Sequence, residues 1–243
     1  MDRDRKGQIS IIIVLVVVLV LLVVVMLVTT QGGIEEDIVK ELDIQPLQLQ
    51  VESCISDVVE EALGVWGLHG GYIETQEPSY FYSFFNISYL YYLGGYHYPS
   101  RGDVEGQVDR YVETQEERCR DELEVFSEIV SVGEMEAVTS IGDEETSVIV
   151  DWPISVQSGS RVATLESFSS TVPFNYGTVD RVVGNILGRL DPGSELFDII
   201  FLVDQNITID VTVEDHTSVY MLSDDELVLG QEKFLFIFAT RFS

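Results

Sequence analysis

The chain has 243 residues, of which 42 are acidic and 13 are Lys or Arg, and its formal net charge is −29. This balance excludes nucleic acid as a partner, because binding to phosphates needs clustered Lys and Arg. Since 46% of the residues are hydrophobic, the chain can form a folded core, unlike a disordered acidic tail. The acid excess favours a halophilic protein, because molar salt shortens the screening length to about 3 Å.

An apolar run over residues 9–28 is interrupted only by Ser10. At about 1.5 Å of rise per residue, roughly 20 helical residues cross a hydrocarbon core of about 30 Å, so we predict a transmembrane helix over 9–29 that contacts membrane lipid. Arg3, Arg5 and Lys6 precede the run. Because short basic flanks stay cytoplasmic, we expect a single-pass protein of the cell membrane with its C-terminal domain outside.

The residues directly before this run are Arg5, Lys6, Gly7 and Gln8. They resemble the class III signal of archaeal type IV pilin-like proteins. The resemblance implies that a prepilin peptidase cuts between Gly7 and Gln8 and leaves the apolar helix at the mature N-terminus. The alternative is that residues 1–8 stay in place as a short cytoplasmic segment.

Helical periodicity follows the predicted span. Residues 30–46 read as a juxtamembrane helical stalk with a hinge at Gly32-Gly33, and residues 47–243 as an extracellular domain. Apolar residues recur at steps of three and four from Leu47 to Trp66, which predicts a helix whose apolar stripe packs on the domain core or on another subunit.

A second helix is predicted to begin after Pro99 with Asp103 as its cap, and to continue to Phe126. The only two cysteines, Cys54 and Cys119, lie on the two predicted helices. An even cysteine count in an exported domain predicts a disulfide, and two unpaired buried thiols are the alternative.

The segment 72–98 contains eight of the eleven tyrosines and reads as a β-hairpin or two short strands. Exposed aromatic rings there would bind glycan or a partner protein, and Tyr89, Tyr91 and Tyr92 are the candidate contact residues. The alternative is that about half of the tyrosines face the core. Two sequons, at Asn86 and Asn206, are candidate glycosylation sites of an exported glycoprotein.

From Gly133 onward the apolar residues alternate with polar ones. This period of two predicts an antiparallel meander, followed by a helix over 175–190 and further strands. The predicted strands are 135–140, 147–152, 153–157, 161–171, 197–212, 218–222 and 233–242. The fold class is therefore α+β, with an N-terminal transmembrane helix and then an extracellular antiparallel sheet flanked by helices.

The sequence lacks the common catalytic signatures. His69, His97 and His216 are scattered, and no zinc, nucleophile-elbow or phosphate-loop spacing occurs. We therefore predict no catalytic, cofactor-binding or metal-binding residues and no enzyme activity. Glycosidases use a pair of carboxylates, and this acidic chain has many such pairs. An envelope enzyme is therefore kept as the third-ranked function. The alternative explanation of the acidic charge is a surface that binds calcium, with the acidic clusters at 142–145 and 223–226 as candidate sites. Neither cluster has EF-hand spacing.

Over most of its length, the chain resembles a group of uncharacterised single-span surface proteins of DPANN archaea, of the nanohaloarchaeal type. The likeness lies in the segments KGQISIIIVLVV, SCISDVVEEALGVWGLHGGYI, YHYPS and FLFIFATRF. The resemblance implies a membrane-anchored, non-enzymatic surface protein that is related to pilins. Such a protein would act in surface assembly, cell contact or adhesion, and its partners would be further copies of itself or other surface proteins. A monomeric binding module that uses the tyrosine-rich hairpin is the alternative.

Overall fold

A computed structural model describes residues 44–190, 207–230 and 232–242, with the backbone alone for 224–227. Among these residues, no helix is long and apolar enough to cross a membrane. The predicted span over 9–29 and the cleavage site between Gly7 and Gln8 lie outside the described ranges. The helices of these ranges are α1 (Gln45–Leu68), α2 (Arg101–Thr114), α3 (Glu116–Glu122) and α4 (Tyr176–Gly188).

The strands belong to two sheets, and all but one pair are antiparallel. In chain order they are β1 (Ser79–Tyr82), β2 (Phe85–Tyr92), β3 (Gly95–Tyr96), β4 (Ile129–Val132), β5 (Glu136–Ile141), β6 (Glu145–Ser158), β7 (Arg161–Pro173), β8 (Thr208–Glu214), β9 (Thr217–Leu229) and β10 (Glu232–Arg241). The predicted α+β class is confirmed.

The larger sheet has the strand order β1-β2-β10-β9-β8, with β3 paired to β2. Strand β10 runs antiparallel to β9 and parallel to β2, where Ala239 lies opposite Tyr89. In the smaller sheet, the long strand β6 pairs with β7 along one edge and with β4 and β5 along the other. The sequence predicted the meander of β5, β6 and β7 but not β4, and it did not predict two sheets.

Helix α1 is buried along its apolar stripe, as predicted. Pro46 lies in its first turn, where a missing N–H costs no helical hydrogen bond. The stripe contacts the core through Leu47, Val51, Cys54, Ile55, Val58, Val59, Ala62, Leu63 and Trp66, all of them buried. The Trp66 ring lies 4.8 Å from that of Phe236 on β10. The helix therefore packs against β10 of the larger sheet and against β7 of the smaller sheet.

A disulfide joins α1 to α3. Cys54 and Cys119 are bonded, with 5.8 Å between their Cα atoms, which confirms the predicted pair. The second predicted helix is wrong in one respect, because it breaks at Gln115 into α2, α3 and a short 3₁₀ turn (Leu123–Val125).

The cap of α2 also differs from the prediction. Ser100 is the N-cap and accepts a hydrogen bond from the N–H of Asp103. The Asp103 carboxylate accepts one in return from the Ser100 N–H, so the two residues form a capping box. Asp103 is thus the third helical residue rather than the cap.

Helix α2 lies along the outer edge of β5. Three acidic side chains one helical turn apart accept hydrogen bonds from backbone N–H groups of this strand, and the pairs are Glu105 with Ile141 (2.9 Å), Asp109 with Thr139 (2.6 Å) and Glu113 with Ala137 (3.2 Å). An exposed strand edge invites pairing with other chains, and here the carboxylates occupy its donors. These hydrogen bonds also set the rotation of α2 about its axis, and therefore which of its residues lie on the side away from β5.

Candidate functional site

A groove of about 810 Å³ lies beside this other face of α2. The end of α1, the loop around Tyr72 and the loop around Tyr98 complete its walls. Its volume is within the range of small-molecule sites, about 300–1,000 Å³.

Two glycines of α2, Gly102 and Gly106, line the floor of the groove. A Cβ atom at Gly102 would meet no described heavy atom within 4 Å, and one at Gly106 would meet a guanidinium nitrogen of Arg110 at 3.7 Å. No described neighbour therefore requires a glycine at either position. Gly106 lies inside α2, where a glycine costs about 0.5–1 kcal/mol relative to alanine, whereas Gly102 is the second residue of the helix.

Tyr72 and Tyr111 form part of the groove wall. The Tyr72 hydroxyl donates a hydrogen bond to the carbonyl oxygen of His97, and burial, with the charge of Asp103, raises its pKa. The Tyr111 hydroxyl donates to a carboxylate oxygen of Glu61 at 2.8 Å. Burial and this bond raise the pKa of Tyr111 to about 12, so both phenols stay protonated at neutral pH.

Tyr98 completes the aromatic lining, and residues of α4 support it. Burial raises the pKa of Tyr98 strongly, and the neighbouring Tyr176 and Asp180 raise it further. The guanidinium of Arg101 lies 5.0 Å from the centre of the Tyr176 ring and 2.7 Å from a carboxylate oxygen of Asp143. Arg101 thus contacts both Tyr176 and Asp143.

Amide side chains supply polar groups to the same groove. The Gln107 side-chain oxygen accepts a hydrogen bond from the N–H of Ile73 at 2.9 Å, which ties the Tyr72 loop to α2. Its amide nitrogen is left as a donor. The Gln76 amide nitrogen donates to the carbonyl oxygen of Glu74 at 3.0 Å. The groove thus combines tyrosine rings with hydrogen-bonding groups.

Two of the predicted contact residues, Tyr89 and Tyr91, are buried and do not form an exposed surface, while partner binding at Tyr92 stays a prediction. Tyr89 is 4% exposed and Tyr91 2% exposed, while Tyr92 is half-buried. The Tyr89 hydroxyl lies 2.9 Å from the hydroxyl of Thr217, inside the larger sheet. The rings of Tyr89 and Tyr91 belong to the core because β2 is covered on both faces.

The other tyrosines of the same segment occupy different places. Tyr72 and Tyr98, at its two ends, line the groove. Tyr72 follows Gly71 and Tyr98 precedes Pro99, and both tyrosines lie outside the strands. These neighbours were the only local signals that the two tyrosines differ from those of the sheet. Sequence reasoning missed Gly102, Gly106 and Gln107 as site residues entirely.

The remaining predicted sites are only partly described. Asn86 is exposed on β2, and its glycosylation stays a prediction. Asn206 lies outside the described residues. Within the described ranges, no group of three or more His, Cys, Asp or Glu residues is arranged to hold a metal ion. In the acidic cluster at 142–145, Asp143 pairs with Arg101.

Comparisons with protein-family models, with curated proteins and with solved structures found no match to this chain.

Proposed function

We propose that the protein is a membrane-anchored surface binding module whose groove holds a saccharide. The observation that carries this proposal is the pair of helical glycines, Gly102 and Gly106. Gly106 leaves α2 less stable than alanine would, and together the two glycines keep the groove floor free of side chains. Open helical glycines also occur on α4, at Gly184 and Gly188, but the two glycines of α2 lie in the groove lining.

A saccharide fits the chemistry of the lining. A sugar ring has apolar C–H faces and hydroxyl groups around its edge. The phenol rings of Tyr72, Tyr98 and Tyr111 offer flat apolar contact with a polar tip, and the amide of Gln107 offers a donor. The groove is open to solvent, so it suits a sugar at the end of a larger glycan.

The test is to fill the groove without disturbing the fold. Gly102→Leu combined with Gly106→Leu places two side chains where the floor is now open. We expect binding to immobilised oligosaccharides, measured in molar salt, to fall at least about tenfold, the equivalent of about 1.4 kcal/mol.

Gly184→Leu on α4 is the matched control. A Cβ atom at Gly184 would also meet no described heavy atom within 4 Å, and the position lies outside the groove lining. The control should bind as the natural protein does. The proposal would be contradicted if no oligosaccharide bound, or if the filled groove bound as well as the natural one.

The membrane anchor is the second part of the proposal. The apolar run over 9–28 and its basic flank support a single span with the folded domain outside the cell. A protease that does not enter cells should degrade the domain on intact cells and leave an epitope at residues 1–8 protected. Protection of the domain would contradict this orientation.

Pilin-like assembly is a second candidate, favoured by the sequence from Arg5 to Gln8. In that case the apolar helix anchors the subunit before assembly and forms the filament core afterwards. N-terminal sequencing of the protein from its own membrane should then begin at Gln8. An intact Met1 would remove the support for processing and leave the anchored binding module. The proposed relation to DPANN surface proteins does not depend on this result.

A further inference from the structure

Arg110 lines the groove and is exposed. Among the residues that the structure describes, no ion pair or hydrogen bond involves its side chain. Arg161 on β7, also exposed, has no such partner among these residues either, although acidic residues outnumber Lys and Arg by 42 to 13. Carboxylates are plentiful in this chain, so their number is not the reason that Arg110 has no carboxylate partner among the described residues.

Other arginines near this region have carboxylate partners. Arg118 lies 2.5 Å from Glu61, and Arg120 on α3 pairs with Glu116 one turn away. Such exposed pairs are worth little in stability, but they show what a guanidinium does on this surface when an acid is in reach. Arg110 differs in that it lies in a cavity.

The position of the guanidinium follows from Gly106. A nitrogen of Arg110 lies 3.7 Å from the point where a Cβ atom of Gly106 would stand, so the side chain extends back along the helix over the glycine. The Asp103 carboxylate in the same groove already accepts hydrogen bonds from the Ser100 N–H (3.0 Å) and hydroxyl (2.6 Å). The nearby acid is thus engaged in capping α2.

From this arrangement we infer that the saccharide held in the groove is anionic and that Arg110 binds its carboxylate or sulfate ester. The inference rests on the proposed function and adds the class of ligand. A planar guanidinium donates two parallel hydrogen bonds to either group, and tyrosine rings at the same site hold the sugar ring. In molar salt the repulsion between an anion and the negatively charged protein is confined to a few ångströms, so this contact decides binding.

The test compares three oligosaccharides by calorimetry in molar salt. They are an oligogalacturonate, a sulfated oligogalactan and a neutral oligogalactan of equal length. We expect at least one anionic oligomer to bind about tenfold or more tightly than the neutral one, because a hydrogen bond to a charged group is worth more than a neutral one. Which anionic oligomer binds identifies the acid group.

Two substitutions assign the preference to Arg110. Arg110→Gln should reduce affinity for the anionic oligomer about tenfold or more and leave the neutral one unchanged, and Arg110→Lys should give an intermediate loss. Arg161→Gln removes the same charge from β7, outside the groove lining, and should have no effect.

The outcomes separate this inference from the proposed function. Equal binding of neutral and anionic oligomers, or a preference that Arg110→Gln does not change, overturns the inference and leaves the saccharide groove in place. If no oligomer binds, both are overturned.

Discussion

The carboxylate of Asp109 accepts a hydrogen bond of 2.6 Å from the backbone N–H of Thr139. This bond is the middle one of three that join α2 to the edge of β5. It connects the helix that forms the groove floor to the smaller sheet. Loss of the bond therefore bears on stability and on the position of the groove.

Asp109→Ala should lower the free energy of unfolding by about 1–3 kcal/mol, because the N–H of Thr139 loses its acceptor. The measurement is urea unfolding in molar salt. Asp121→Ala, at an exposed acid on α3, is the control and should stay within about 0.5 kcal/mol. Equal effects of the two substitutions would show that the Asp109 bond adds no stability.

Acid pH should strengthen the contribution of Asp109. Burial is the main cause that raises its pKa above the ordinary 3.8. A group whose pKa is raised on folding contributes stability that is fully present below 3.8 and is lost as the pH rises through the folded pKa. The free-energy difference between the natural protein and Asp109→Asn should shift in favour of the natural protein on acidification. A flat difference would contradict this.

Glu61 should show the opposite pH dependence. The hydrogen bond from Tyr111, followed by that from Arg118, lowers its pKa below the ordinary 4.5. Its contribution is therefore present above pH 4.5 and lost as the pH falls through the lower folded pKa. Because the side chain is about half exposed, we expect Glu61→Gln to cost about 1 kcal/mol or less at pH 7, and less again in acid. An equal cost at both pH values would argue against it.

Gly67 marks the closest approach of α1 to β10. A Cβ atom there would lie 2.6 Å from the carbonyl oxygen of Leu235 and 2.6 Å from the ring of Phe234. Gly67→Ala should therefore destabilise the protein by about 1–3 kcal/mol or more, since the helix must move off the sheet.

Gly64, one turn earlier on α1, provides the comparison for Gly67. Its Cβ atom would lie 3.8 Å from a methyl group of Leu229, an ordinary contact. Gly64→Ala should stabilise the protein by about 0.5–1 kcal/mol, in contrast to Gly67→Ala. Thermal unfolding of both variants would check this, and a stable Gly67→Ala would contradict the close packing.

The disulfide should contribute a large part of the stability. Cys54 and Cys119 are 65 positions apart, so in the chain-entropy model their bond stabilises the fold by about 4 kcal/mol. Unfolding with and without a thiol reductant should differ by about that amount, and the double variant Cys54→Ala with Cys119→Ala should match the reduced protein. A reductant effect that persists in the double variant would point to another cause.

Periodicity was sufficient to predict the helix α1 and the meander of β5 to β7, because each of these elements has one buried side. It failed for β2, which is buried on both faces and so shows no alternation that separates core tyrosines from exposed ones. The sequence also divided β6 at Pro153, since proline usually ends a strand. The structure keeps one strand, with an irregular register between Asp151 and Ile154.

The groove could not be predicted because its parts are distant in sequence. Gly102 and Gly106 gave no sign of a site in the sequence, and Tyr72 and Tyr98 belonged to the segment predicted as a hairpin or two short strands. The crossing of α1 and α2 brings these residues to one cavity. The hydrogen bond from Tyr111 to Glu61 joins these two helices, while the disulfide and the Arg118–Glu61 pair join α1 to α3. Such a crossing depends on packing between elements, which local patterns do not contain.

The place of β10 between β2 and β9 determines when the larger sheet can form. Ala239 pairs with Tyr89, 150 positions earlier in the chain. During synthesis, the hydrophobic strand β2 emerges long before β10 and stays unpaired on that side. The smaller sheet, which uses only residues 129–173, can assemble in the meantime. The larger sheet therefore closes last, and a chain that stops before β10 lacks its central strand.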